Sequence, residues 1–138
     1  MSEKTTKKTM DMFDTVTGSN MGTEIELVTK DGEPSGVKVR ILGPDSDEAL
    51  RSERHAMQRN MKFHQKNQSN RVDPQADVIE RLVAVTIGWT GMPGEDGKDL
   101  PFSKDAARAI YTNFPSIRRN VLQEHEDTKN FINGSSVK

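Results

Sequence analysis

QADVIERLVAVTIGW, residues 75–89, is the most apolar stretch of the chain and its reading decides the fold. Ala76, Ile79, Leu82, Val83 and Thr86 recur at helical spacing on one face, and Val78, Val85 and Ile87 widen it. Asp73-Pro74 supplies a start signal, a capping carboxylate followed by a proline whose missing N–H costs nothing in a first turn. The spacing therefore predicts one helix from about residue 74 that is closed by Trp89. This helix is the expected centre of the core. Trp89, the only tryptophan, is expected to lie over the end of that core, where its indole N–H needs an acceptor.

Downstream, GWTGMPGEDGKDLPFS (88–103) places glycine at every third position from 88 to 97. Four triplets between two helical patterns are too few for collagen. A phosphate loop fails twice, because Met92 stands where its first glycine belongs and Asp99 where its hydroxyl belongs. Glu95, Asp96 and Asp99 lack the progression and closing glutamate of a calcium loop. The stretch reads as a connection: Gly88 and Gly91 stop the helix, 95–98 form a wet tip, and Trp89 and Phe102 meet across it. Ser103 then caps a helix expected to bury Ala106, Ala109, Ile110 and Phe114. Pro115 ends it and opens another, with Ile117, Val121, Leu122, His125 and Thr128 on one side and Phe131 at its end.

Upstream, Asp45 or Ser46 can cap a helix running to about Gln68. Leu50, Met57, Met61 and His64 lay a narrow stripe along it. Between Arg51 and Arg71 lie six bases, Arg51, Arg54, Arg59, Lys62, Lys66 and Arg71, against the single acid Glu53. Earlier still, Ile25 and Leu27, then Val37, Val39 and Ile41, alternate on either side of turn residues 31–36. That period of two predicts a two-stranded antiparallel hairpin, which must lay its apolar face on the helices. Residues 1–22 show no sustained period and read as a flexible arm, with Met10, Met12 and Phe13 its adhesive points.

The chain of 138 residues suits a single domain, and its net charge of −1 gives no global attraction for nucleic acid or anionic membrane. Leu, Ile, Val and Phe together number 28, so the core is thin. The absence of cysteine removes disulfides, thiolate metal sites and cysteine nucleophiles. There is no apolar run of membrane-spanning length and no apolar stretch of a secretory signal near Met1, so a cytoplasmic protein is expected. His55, His64 and His125 form no HExxH, and there is no GxSxG. No catalytic residue, metal site or cofactor is expected.

These features in order, a strand pair, Asp45-Ser46 opening a basic helix, an apolar segment ending in Trp89, then Leu100-Pro101-Phe102-Ser103, Ala106, Tyr111, the Phe114-Pro115-Ser116-Ile117 step and a last helix ending in Phe131, resemble the tail assembly chaperones of long-tailed bacteriophages. The resemblance covers roughly residues 24–131. It implies a small protein of the infected host's cytoplasm, absent from the mature virion, that binds the tape measure protein and helps recruit tail tube subunits. It also implies a longer frameshifted product sharing this N-terminal part, and no catalytic residues.

The expected architecture is α+β and mainly α: a two-stranded hairpin packed on about four helices over 23–131, with a flexible arm 1–22 and a flexible end 132–138. Leu50, Arg54, Met57, Met61, His64 and Trp89 are the candidate partner-binding residues, the thioethers adapting to a long helical partner. Self-association is left open. A structural head-tail or tail-completion protein is the alternative, and a nucleic-acid module using the basic helix 51–71 is disfavoured by the neutral total charge.

Overall fold

A computed structural model describes residues 9–132. The alternating segments form strands β1 (Thr23–Val28) and β2 (Pro34–Ile41), antiparallel with Ile25 opposite Val39 and Thr23 opposite Ile41. Ile25, Leu27, Val37, Val39 and Ile41 all point into the core, as the period requires.

The sheet nevertheless has three strands where two were expected. Helix α3 (Pro74–Val85), third in chain order of the five α-helices among the described residues, stops four residues short of Trp89, and Thr86–Thr90 continues directly as β3. β3 pairs antiparallel with β2, placing Trp89 opposite Val39 and giving the order β1-β2-β3. Arg40 pairs with Gly88 and Ile41 with Thr86, so Ile87 is the extra residue of a bulge and lies exposed. Two β-branched residues and a glycine favour this ending, and the free edge of β2 rewards it with backbone hydrogen bonds.

A helix that becomes a strand without a loop must still satisfy its last four carbonyls. All four are bonded. Leu82 O accepts from the Thr86 N–H and from Thr86 Oγ1 at 2.6 Å. Val85 O accepts from the Leu42 N–H at 2.9 Å. The Lys104 ammonium reaches Val83 O at 2.8 Å, Ala84 O at 3.3 Å and Thr86 O at 2.8 Å. Partial burial lowers the pKa of this lysine, and Glu48 opposes that shift. Lys104→Met keeps the aliphatic stem and removes the cation, so urea unfolding is expected to show a loss of about 1–2 kcal/mol.

Ser103 caps helix α4 (Lys104–Asn113) through the Ala106 N–H, and Pro115 opens helix α5 (Pro115–Glu126). The buried face of α4 differs from expectation. Ala107 and Tyr111 are buried while Ala109 is exposed and Phe114 is 51% exposed. The helix is turned so that the Tyr111 hydroxyl meets Thr86 Oγ1 at 2.7 Å. On α5, Val121 and His125 are buried and Ile117 and Leu122 pack against the core; Thr128 is exposed because a 3-10 turn, Thr128–Phe131, follows and buries Phe131 instead.

Secondary structure also reaches into the segment read as an arm. Residues 1–8, like 133–138, lie outside the described residues, but Met10–Phe13 forms a 3-10 turn and Val16–Met21 a short helix, α1. Ser19 is buried: its carbonyl accepts from the Gly43 N–H at 2.9 Å and its hydroxyl from the Asp45 N–H at 3.1 Å. A side chain at Gly43 would place its Cβ 2.9 Å from the Ser19 Cα and 2.8 Å from the Phe131 ring, so this close approach needs glycine.

Candidate partner-binding surface

Helix α2 (Asp47–Gln65) begins at Ser46, whose hydroxyl accepts from the Ala49 N–H at 3.2 Å and donates to Gly43 O at 2.7 Å. Asn20 of α1 adds a second cap, its side-chain oxygen accepting from the Asp47 N–H at 2.9 Å. Asp47 and Glu48 in the first turn complement the helix dipole.

The inner face of α2 consists of small residues, Ala49, Ser52 and Ala56, with Asn60 and Phe63 beyond them, and packs on α3. Arg59 pairs with Asp77 at 2.7 Å, and the Asn60 amide donates to the same carboxylate at 3.2 Å. Small residues at helical spacing carry little hydrophobic signal, which is why this face escapes a reading based on apolar stripes.

The outer face carries the residues nominated from sequence. Leu50 is 39% exposed, Met57 60% and Met61 56%, with Arg54 and His64 exposed alongside at the same three- and four-residue spacing. His64 Nδ1 lies 2.7 Å from the Ser69 hydroxyl, which ties its ring to the turn that ends the helix. Of the six bases in 51–71, Arg59 is paired, whereas Arg51, Arg54, Lys62, Lys66 and Arg71 are exposed and make no ion pair among the described residues.

Trp89 lies apart from this set. It is half-buried against the core, its indole N–H donates to Leu100 O at 2.8 Å, and its ring meets Phe102 edge-on at 5.0 Å, the contact expected across the glycine-punctuated connection. These ties give Trp89 a structural task and remove it from the exposed face.

The same connection builds a feature that sequence reading missed. Leu100 N–H donates to Met92 O at 2.7 Å and Gly94 N–H to Lys98 O at 2.7 Å, so 93–99 folds back as a tight lobe beside α4. Between lobe and helix lies a groove of about 760 Å³ whose floor includes Leu100, Pro101, Ala106, Ile110 and Phe114 and whose rim carries Glu95, Asp96 and Asp99. No local signal in the sequence pointed to it, because Phe114 reads there as part of the buried face of α4.

Titratable chemistry is sparse. His125 is fully buried, its Nδ1–H donates to Leu42 O at 2.9 Å, and burial above all, with Arg81 nearby, pushes its pKa down to about 4. Glu80 is held below the usual carboxylate range by the Arg108 guanidinium, which grips both its oxygens at 2.7 and 3.0 Å. Among the described residues no three metal-capable side chains gather, and no described helix is long and apolar enough to cross a membrane.

The molecule is thus a small α+β protein that presents an exposed basic helix and an acidic apolar groove. It belongs to the YdaY prophage protein family, which matches residues 44–138, and is accordingly a phage-derived protein. The match spans α2 to the C-terminus and leaves the β1–β2 hairpin outside it. No curated protein and no solved structure matches the chain.

Proposed function

We propose that this prophage-family protein is a tail assembly chaperone, which holds the tape measure protein in the host cytoplasm and helps recruit tail tube subunits. The observation that carries the reading is the outer face of α2, where Leu50, Met57 and Met61 stand exposed among bases that make no ion pair with, and are covered by no element of, the described residues. Flexible thioethers suit a partner presenting many similar helical surfaces in succession, because they repack against each without a fixed shape. The phage origin of the family and the resemblance over 24–131 support the same reading. Such a protein works by contact and performs no bond chemistry. Leu50, Arg54, Met57, Met61 and His64 form the proposed contact, and Trp89 contributes through the fold.

The test pairs Met57→Asp with Met61→Asp. Both side chains are more than half exposed, so folding is expected to survive. Two carboxylates in an apolar contact are expected to weaken co-purification of the tape measure protein by at least about tenfold and to leave it insoluble. Unchanged capture by a folded double variant would refute the proposal. Recovery of the chain in purified virions would favour a head-tail or tail-completion role, and steeply salt-dependent DNA or RNA binding would favour a nucleic-acid module.

A further inference from the structure

We infer that the acidic groove beside α4 seats the outer face of α2 from a second copy of this chain. Both halves of the contact lie on the described surface, and no described residue covers either. The groove offers an apolar floor ending in Phe114, 51% exposed, below a rim of Glu95, Asp96 and Asp99 against the single base Lys98. Helix α2 offers Leu50, Met57 and Met61, flanked by Arg51, Arg54 and Lys62 against the single acid Glu53.

Charge and apolar surface are therefore complementary on both counts. From Leu50 to His64 the helix spans about 21 Å, and methionine beside an exposed phenylalanine makes a favourable contact. A pair matched through α2 alone would set base against base, whereas helix-to-groove docking sets base against acid. Helix-to-groove docking either forms reciprocally and closes a two-fold pair, or leaves the pair with one free groove and one free helix, from which association continues into a ring or an open chain. The inference goes beyond the chaperone reading and does not need it. If both hold, the tape measure protein and the second copy compete for the same methionines.

Sedimentation equilibrium of the full chain by itself tests this. The wild type is expected to associate to a dimer or beyond as concentration rises, and added salt is expected to weaken the assembly. Met61→Asp disables the helix and Phe114→Asp the groove, so each variant by itself should associate at least about tenfold more weakly. An equimolar mixture should recover one 1:1 pair, because each variant retains the half that the other lacks. If far-UV circular dichroism shows either to be misfolded, Arg54→Glu and Asp99→Arg replace them, and mixing should again restore association. A wild type that stays monomeric at every concentration, a folded variant that associates as the wild type does, or a mixture that forms no pair would each overturn the inference.

Discussion

Tyr111→Ala is expected to lower the unfolding free energy by about 3–5 kcal/mol, read as a fall in the urea midpoint at constant slope. Tyr111 is the largest of the fully buried side chains, and its ring fills the space between the sheet and the helices. Small domains hold only about 5–15 kcal/mol in reserve, so this one truncation consumes a large part of it. The hydroxyl has a smaller, separable share. Thr86 Oγ1 spends its hydrogen on Leu82 O, so the phenol is the donor to Thr86. Tyr111→Phe leaves that threonine bonded and should cost about 1 kcal/mol. Thr86→Val leaves a buried phenol without an acceptor and should cost about 1–3 kcal/mol. Burial also pushes the Tyr111 pKa up to about 12, which keeps the donor protonated. Equal losses for the alanine and phenylalanine variants would show that the ring is not the anchor described.

Mild acid is expected to remove about 3 kcal/mol between pH 6.5 and pH 4 through one residue, His125. Its folded pKa is about 4 against an ordinary 6.5. Below 6.5 the unfolded chain takes up a proton that the folded chain refuses, so stability is complete above that pH, declines through the window and levels off below 4. Geometry explains the refusal. Nδ1–H is committed to Leu42 O, and Nε2 is buried without a partner while the Arg81 guanidinium adds a repelling charge. His125→Leu should be about 1–3 kcal/mol less stable at neutral pH, because Leu42 O loses its donor, yet flat across the window. Glu80, with a lowered pKa, contributes stability that is full above its ordinary 4.5 and is lost as pH falls from there through its folded value, so most of the histidine effect lies at higher pH. A histidine variant with the same slope between 6.5 and 4.5 as the wild type would refute the assignment.

Local chemistry was legible in the sequence wherever one residue type does one job. The hairpin follows from a period of two, the helix starts from Asp45-Ser46, Asp73-Pro74, Ser103 and Pro115, and the Trp89–Phe102 contact from apolar ends on a polar loop. Strand β3 was illegible because Thr86 and Ile87 extend the helical stripe of α3 while also being good strand residues. What decides between them is the free edge of β2, which lies some 45 residues away and leaves no local mark. Lys104 and the rotation of α4 were hidden for the same reason, since their partners belong to α3 and β3. The outer face of α2 could be read because methionines at helical spacing are visible, whereas the groove exists only once the lobe folds back onto α4.

The direct passage from α3 into β3 carries one more consequence. Rotation about a helix and alternation along a strand are two different clocks, and at Val85–Thr86 they are coupled without slack. A single residue inserted between Val83 and Thr86 has no flexible joint to absorb it. It would either swing Leu82 and Val83 off the core or turn Trp89 outward, and it would carry the carbonyls out of reach of Lys104. The lobe at 93–99 has no such constraint, so changes in chain length should be tolerated at this tip and selected against a few residues earlier.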